Sequence, residues 1–346
     1  IPKLILENNL YGLDIDDRAG QLAYFAVMMK ARSKSRRIFH ENIDINLYSI
    51  QESNGIPEET ITYFAGGKKF ISKTELEEKI KGKDDLSDMD FEIQARYLIH
   101  VFQDAKEYGS ILEVKKLDFD KIENRLEEIR QNHPDDIFEF GHKQILLEKL
   151  PPLIKQAKIM SDKYDVVVTN PPYMGQKGMN KNLKKYLDEY YKDSKNDLFA
   201  AFIEKGFKFL NENRFNAMVT MQSWMFLLSF EKMRKDIIKN YSIYCLCHMD
   251  NMVMGIAFGT SATVFRKSPL NFNGIYLHVK LEDLDNATNT PVKFPPKKHF
   301  KQSMSDFSKI PGSPIAYWAS QNIIKAFENG ILMGEVLDVK QGLATA

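Results

Sequence analysis

The stretch that most constrains this chain is Tyr164–Tyr173, YDVVVTNPPY. Val166, Val167, Val168 and Thr169 form an unbroken β-branched run, the pattern of a buried strand without polar interruption. The run ends on Asn170-Pro171-Pro172-Tyr173. Two successive prolines donate no hydrogen bond and fix φ, so the backbone must leave the sheet in a stiff, extended turn. The carboxyl end of a strand is also where open α/β sheets place their ligands. This exit presents an amide, rigid carbonyls and an aromatic ring. Those groups can accept both hydrogens of an –NH2 and stack on a planar base. The plainer alternative is an ordinary strand exit with Asn170 as a cap.

At 346 residues the chain can form one large α/β domain with insertions, or two modest domains. A hydrophobic share of 43% and a charged share of 27% are those of a soluble globular protein. No apolar run approaches the length of a membrane span. The two cysteines, Cys245 and Cys247, exclude a disulfide framework and point to a reducing compartment. With only His248 beside them they read as buried thiols, and no metal centre is expected. A net charge of +1 means that any nucleic-acid face must be local. The start, Ile1-Pro2-Lys3-Leu4, lacks an initiator Met and a signal pattern and is expected to run almost directly into a strand, as in a piece of something longer.

Asn9–Ile15 reads as a strand, followed by Asp16, Asp17 and an apolar-periodic helix through Leu22, Phe25, Ala26 and Met29. A carboxylate at a strand end can accept both hydroxyls of a ribose. Asp14, Asp16 and Asp17 cluster at this strand end, and Asp17 fits best as the cap of the next helix, with Asp16 next. Ile43–Ile50 is a further strand, and residues about 51–90 read as a solvated insertion with a charged helix over Thr74–Ile80. An amphipathic helix over about Phe91–Glu107 ends at Tyr108-Gly109-Ser110, and Ile111–Val114 resumes strand. Residues about 117–160 read as charged helix broken at His133-Pro134. Pro134-Asp135, Glu139 and Lys143 there faintly match a nuclease spacing, but the gap is wrong and the stretch reads as solvated helix.

Beyond the prolines, Lys177, Lys181, Lys184, Lys185, Lys192 and Lys195 are interleaved with Tyr186, Tyr190 and Tyr191, either a phosphate- and base-binding face or a solvated loop and helix. Asp197–Leu210 is an amphipathic helix and Phe215–Thr220 a strand. Met221–Trp224 either edges a pocket or puts Trp224 in the core. Tyr241–Cys247 and Ser261–Phe265 are strands around a loop over Asp250–Gly259. From Ser268 prolines crowd in, with a strand over Ile275–Val279, a helix over Asn322–Phe327 and a strand-like Leu337–Gly342.

Asn170-Pro171-Pro172-Tyr173 after a hydrophobic strand resembles the catalytic motif of S-adenosylmethionine-dependent amino-methyltransferases, the N6-adenine-specific DNA methyltransferases among them. The resemblance implies a Rossmann-like α/β sheet with helices on both faces, helical insertions and a C-terminal connector. It implies a catalytic domain over residues 1–267 and a connector over 268–346. Asp14 takes the ribose position, with Asp16 the runner-up, and Ile15 packs on the cofactor adenine. Gly109-Ser110 stand where the family usually has an Asp for that adenine. Asn170 and the Pro171 carbonyl accept the target amino hydrogens, Pro172 stiffens the turn, and Tyr173 stacks on the base. Phe258 is the candidate to lie over the base, Trp224 to edge its pocket, and Lys177, Lys181 and Lys184 to meet DNA.

The stretches NNLYGLDIDDRAGQLAYFAVMMKAR and VKQGLATA are similar to the large BREX phage-defence methyltransferases of the PglX type. The implied activity is methyl transfer from S-adenosyl-L-methionine to N6 of an adenine flipped out of double-stranded DNA. It belongs to a restriction–modification or phage-defence system, with other subunits as partners, in a bacterial or archaeal cytoplasm and with no membrane association. The family's glycine-rich cofactor loop is expected before Ile1 and a DNA-recognition domain after Ala346, which leaves the activity of this piece alone open. The alternatives are a glutamine-amide methyltransferase, whose substrate is also a planar –NH2, and a non-catalytic DNA-binding scaffold.

Overall fold

The sequence folds into a parallel strand pair before residue 162 and a mixed six-stranded sheet after it. In the computed structural model the described residues are 1–67, 71–296, 298–331 and 333–338, and the chain divides into units Ile1–Asp162 and Lys163–Ala346.

Unit 1 opens not on a strand but on helix α1 (Pro2–Asn8). Proline fits the first helical turn, where no N–H is needed, and Leu6 buries the inner face. Strand β1 (Tyr11–Asp14) then pairs in parallel with β2 (Asn46–Ser49), Tyr11 opposite Asn46 and Asp14 opposite Ser49. Helix α2 (Asp17–Lys34) makes the crossover. Gly20 lets helix and strand approach closely, since a Cβ there would stand 3.3 Å from Ser49 Cβ.

Helices α3 (Glu58–Phe64), α4 (Lys73–Ile80), α5 (Phe91–Val101), α6 (Ala105–Tyr108), α7 (Phe119–Gln131) and α8 (Ile137–Ser161) complete the unit. The region expected as a solvated insertion is instead part of the core: Ile61, Phe64, Leu76, Ile80 and Leu86 are all buried. Its charges cover an apolar inner face, a periodicity that short helices display weakly. Arg96 on α5 is wholly buried and pairs with Glu58 and Glu92. The helix expected to reach Glu107 ends at Val101, and α6 starts afresh after Asp104, whose φ is +53°. A 3-10 turn over Gly109–Ile111 occupies the start of the expected Ile111–Val114 strand, and no strand follows it. Glu139 and Lys143 serve the start of α8: Glu139 accepts from Asp135 N, and Lys143 donates to the Arg130 and Asn132 carbonyls.

Unit 2 contains β3 (Tyr164–Thr169), α9 (Lys181–Tyr190), α10 (Leu198–Lys208), β4 (Leu210–Met221), α11 (Glu231–Asn240), β5 (Ser242–Met249), β6 (Thr260–Arg266), β7 (Asn273–Val279) and β8 (His299–Ser303). Helices α12 (Met304–Phe307), α13 (Gln321–Asn329) and α14 (Met333–Val336) follow. The strand order is β3-β4-β6-β5-β7-β8. β3 and β4 are parallel, as are β5 and β7, while β6 runs antiparallel between β4 and β5. The carboxyl ends of β3, β4, β5 and β7 therefore share one edge.

Phe199, Ile203 and Phe207 of α10, Met233 and Ile237 of α11, and Phe307 of α12 bury one face of this sheet, through Met218, Leu246, Phe265 and Tyr276. β3 is the edge strand, which corrects the expectation of burial on both faces: Val167 joins the core, but Val166 and Val168 are 57% and 73% exposed. Residues beyond Ser268 continue the same sheet through β7 and β8, and Tyr317 lies flat on Tyr276 with ring centroids 5.3 Å apart. Of the strand expected over Leu337–Gly342, the part past Asp338 lies outside the described residues, as does VKQGLATA. Among the described residues no helix is long and apolar enough to cross a membrane.

One buried cation holds the loops at the far side of the core. Arg234 on α11 donates to the carbonyls of Ser313 (3.1 Å), Trp224 (2.9 Å), Gly312 (2.7 Å) and Leu227. Removing the guanidinium would leave buried carbonyls without donors, each a cost of about 1–3 kcal/mol. Arg234→Met is therefore expected to lower stability by about 3 kcal/mol or more, measured by chemical denaturation.

Candidate active site

The turn after β3 is held from three directions. The Tyr173 hydroxyl lies 3.0 Å from Asn170 Oδ1 and 3.2 Å from the Val219 carbonyl, tying the ring to its own turn and to the neighbouring strand β4. On the far side of the turn, Asp197 Oδ1 accepts from Met174 N (3.0 Å) and caps α10 through Phe199 N (3.3 Å). The Met174 carbonyl accepts from Leu198 N (3.0 Å). Burial raises the Asp197 carboxyl above its ordinary pKa, against the pull of its backbone hydrogen bonds. Pro171 is buried, whereas Asn170 remains exposed at the sheet edge. Burial also raises the pKa of the Tyr173 phenol, so it stays a donor at neutral pH.

Phe258, from the loop between β5 and β6, meets the Tyr173 ring at 5.5 Å and 76°, and Phe199 meets it from α10 at 6.3 Å and 85°. Two rings at nearly a right angle make a corner for a planar group. The structure thus brings Asn170, Pro171, Pro172, Tyr173 and Phe258 together. Trp224 is not at this edge. It is fully buried, with Nε1 donating to Ser261 Oγ at 3.1 Å. Residues 222–225 form a 3-10 turn, and the indole belongs to the core cluster, where Ser261 of β6 accepts its N–H. Lys177, Lys181 and Lys184 are exposed on and before α9, beside a stacked pair, Tyr186 and Tyr190, 4.6 Å apart.

In unit 1 the acidic residues after β1 separate by their partners. Asp14 Oδ1 accepts from Asp16 N at 2.9 Å, and its carboxylate is exposed. Asp16, rather than Asp17, caps α2, accepting from Arg18 N and Ala19 N at 2.8 and 2.9 Å. Asp17 is taken by Lys106 (2.8 Å) and Gln51 (3.0 Å), with its pKa lowered to about 2, the Lys106 hydrogen bond being the largest cause. Ile15 is 47% exposed and lies against Gly109, where a Cβ would stand 3.4 Å from Ile15 Cδ1. Gly109 has a φ of +64°, which favours glycine, and half-buried Ser110 follows it. Asp14, Ile15, Gly109 and Ser110 therefore border one strand end.

Sequence reasoning missed a polar cluster at the carboxyl ends of β5 and β7. His248 and His278 are paired in register and stack at 4.6 Å and 9°. His248 Nε2 is hydrogen-bonded to Gln222 Oε1, and His248 Nδ1 lies 2.8 Å from the Tyr317 hydroxyl. His278 Nε2 donates to Asp250 Oδ1 at 2.8 Å. Among the described residues His248, Asp250 and His278 are a group whose ligand atoms come within 4.8 Å of one another. Stacked rings put their lone pairs in parallel planes rather than aiming them at one point, and both His248 nitrogens are engaged. The cluster is a hydrogen-bond network. Only the unforeseen pairing of β5 with β7 reveals it. Cys245 and Cys247 are half-buried free thiols, Cys247 raised to about 11 by burial.

Burial, then the neighbouring His278, push the His248 pKa from 6.5 down to about 4. Above 6.5 the ring is neutral folded and unfolded, and its contribution to stability is fully present. As pH falls the unfolded chain binds the proton first, so stability drops between 6.5 and about 4 and then levels. In denaturation at a series of pH values, the stability gap between wild type and His248→Phe is expected to shrink across that window. A constant gap would contradict the buried, neutral assignment.

The sequence matches the Eco57I restriction-modification methylase family over residues 8–253. It is 38% identical over 344 residues to "Adenine-specific methyltransferase BrxX" of Escherichia coli O9:H4 (strain HS), covering 94% of this chain and 27% of that protein. It is 33% identical over 357 residues to "Adenine-specific methyltransferase PglX" of Lacticaseibacillus casei (strain Zhang), covering 99% of this chain and 28% of that protein. The chain thus spans little more than a quarter of the length of these curated relatives. A solved structure of the Type ISP restriction-modification enzyme LlaGI aligns over 92% of this chain and 29% of its own at 14% identity, with a TM-score of 0.35.

Proposed function

This chain belongs to the Eco57I restriction-modification methylase family, and from that premise we propose that it is the methyl-transferring part of an adenine-specific DNA methyltransferase serving a prokaryotic defence system. The observation that carries the reading is the Asn170–Tyr173 turn. The Tyr173 hydroxyl there is shared between the Asn170 amide oxygen and the Val219 carbonyl of β4, at the carboxyl edge of a sheet. The names of the two curated relatives, both adenine-specific methyltransferases, support the choice of base.

Asn170 Oδ1 keeps a lone pair beyond the one facing the Tyr173 hydroxyl, and the Pro171 carbonyl points from a backbone that cannot flex. These two acceptors take the hydrogens of the adenine N6 amino group. Doing so draws the nitrogen out of conjugation with the ring and orients its lone pair. Tyr173 supplies the stacking face, held in place by Val219, and Phe258 closes the corner. No strong base is required, because positioning does most of the work. Reaching the amino group requires the adenine to leave the DNA stack, at a cost of a few kcal/mol. Exposed Lys177, Lys181 and Lys184 neutralise phosphates as the duplex docks.

The residues at the end of β1 fit a nucleoside cofactor. One Asp14 carboxylate oxygen is tied to the backbone and the other remains for ribose hydroxyls, while Ile15, Gly109 and Ser110 offer an apolar wall to a purine. Asp16 acts as the helix cap. When bound, S-adenosyl-L-methionine supplies the electrophilic methyl group. The activity is exercised in the cytoplasm of a bacterium or archaeon, within a longer protein and alongside other defence subunits.

Full-length protein containing this chain, incubated with methyl-labelled S-adenosyl-L-methionine, is expected to label duplex DNA as N6-methyladenine. Asn170→Ala should lower kcat by roughly 10²–10³-fold, the usual loss for one aimed polar contact at a reacting centre. Labelling of a release-factor peptide in place of DNA, or an undiminished rate in the variant, would contradict the reading.

A further inference from the structure

The side chain of Gln222 has no assigned role, yet it is among the most firmly held at the sheet edge. It follows the last residue of β4, three positions beyond Val219, whose carbonyl holds the Tyr173 hydroxyl. Its backbone N–H donates to the Gly259 carbonyl at 3.0 Å. Its amide lies flat over Gly259, where any Cβ would collide with it. Gly259 has no left-handed φ to explain a glycine, so its missing side chain is the space this amide fills. The next residue back is Phe258, whose ring forms the corner with Tyr173. Gln222 and Phe258 are thus neighbours at the carboxyl edge of the sheet, linked through the Gly259 backbone.

Its orientation is fixed as well as its place. Oε1 accepts from His248 Nε2, and the opposite nitrogen of that ring is held by the buried Tyr317 hydroxyl. His248 is in turn stacked on His278, which Asp250 engages. In the neutral tautomer that accepts from Tyr317 at Nδ1, His248 has one proton to give, at Nε2, and that tautomer selects the oxygen of Gln222 and turns the –NH2 the other way. Among the described residues no acceptor is paired with that –NH2. The hydrogen bonds among Gln222, His248 and Tyr317, with the stack on Asp250-bound His278, thus hold the Gln222 amide in place.

We propose that Gln222 is a specificity-determining residue that donates a hydrogen bond to a ring nitrogen, N1 or N7, of the target adenine, and that His248 is its positioning residue. The inference rests on the adenine methyltransferase reading above. With N6 held by Asn170 and Pro171, the nitrogens flanking it are the acceptors an amide –NH2 can reach, as in amide recognition of adenine elsewhere. A base lacking an acceptor there would leave the donors desolvated and unpaired, which is how a polar pocket rejects a near-isostere.

The test is a cycle between enzyme and base in full-length protein, using the duplex that wild type methylates with its target adenine replaced by 7-deazaadenine or 1-deazaadenine. Gln222→Glu keeps an oxygen for His248 but loses the –NH2, and Gln222→Leu removes the amide altogether. One analogue is expected to cost wild type about ten-fold or more in kcat/KM, and each variant to lose a similar factor on adenine. Neither variant should lose further on that analogue. His248→Phe, which frees the amide to rotate, should weaken the same coupling while the analogue that lacks the other nitrogen shows none. Multiplicative losses with both analogues, or variants as active as wild type on adenine, would overturn the proposal. A wild type that methylates no DNA adenine overturns the functional reading itself, and so is distinguishable.

Discussion

The structure depends on the way β3 ends. A strand that runs into two prolines can neither continue its ladder nor fold back on itself, so Asn170 and Tyr173 are delivered beyond the sheet on a backbone with little freedom. Rigidity alone would not aim them. The aim comes from the Tyr173 hydroxyl, shared between Asn170 Oδ1 and the Val219 carbonyl, and from Asp197, which caps α10 and holds Met174 with the same oxygen. The carboxylate doing this is half-buried and above its ordinary pKa. The fold thus spends some electrostatic stability on geometry. α10 is in turn fixed by Phe199, Ile203 and Phe207 in the core, so the turn is referenced to the buried core of unit 2.

A second layer lies behind the first. On the packed face of the sheet the polar residues near the carboxyl ends form rows across neighbouring strands. Thr220 Oγ1 lies 3.2 Å from Ser261 Oγ, which also accepts from Trp224, while His248 is opposite Ser261 and His278 opposite His248. Buried polar groups at such density are costly unless satisfied. Here Tyr317, Gln222 and Asp250 complete the histidine row. Arg234 anchors the same region from below by gathering the carbonyls of residues 224, 227, 312 and 313.

What the sequence made legible follows a physical division. The turn at 170–173, the strand before it, the helix capped by Asp197 and the acid-bearing end of β1 are encoded by neighbours in the chain, through proline, capping and periodicity, and they stand out when read in order. The choice between Asp14, Asp16 and Asp17 was not so encoded, since it depends on Lys106 and Gln51, distant in sequence. Trp224 presents the same aromatic whether it edges a pocket or fills the core, and Ser261 decides it. The apolar inner face of residues 51–90 was masked by the charges around it. The histidine row was invisible because the parallel pairing of β5 with β7 joins segments that a proline-rich stretch made look like a departing connector.

The central claim is that the Asn170–Tyr173 turn receives an adenine amino group. A structure of the full-length protein with duplex DNA and a non-reactive analogue of the methyl donor measures this directly. The account predicts an adenine out of the stack, its ring on Tyr173 and its N6 about 2.7–3.2 Å from both Asn170 Oδ1 and the Pro171 carbonyl. An adenine that stays stacked, or an amino group held by other residues, would contradict it.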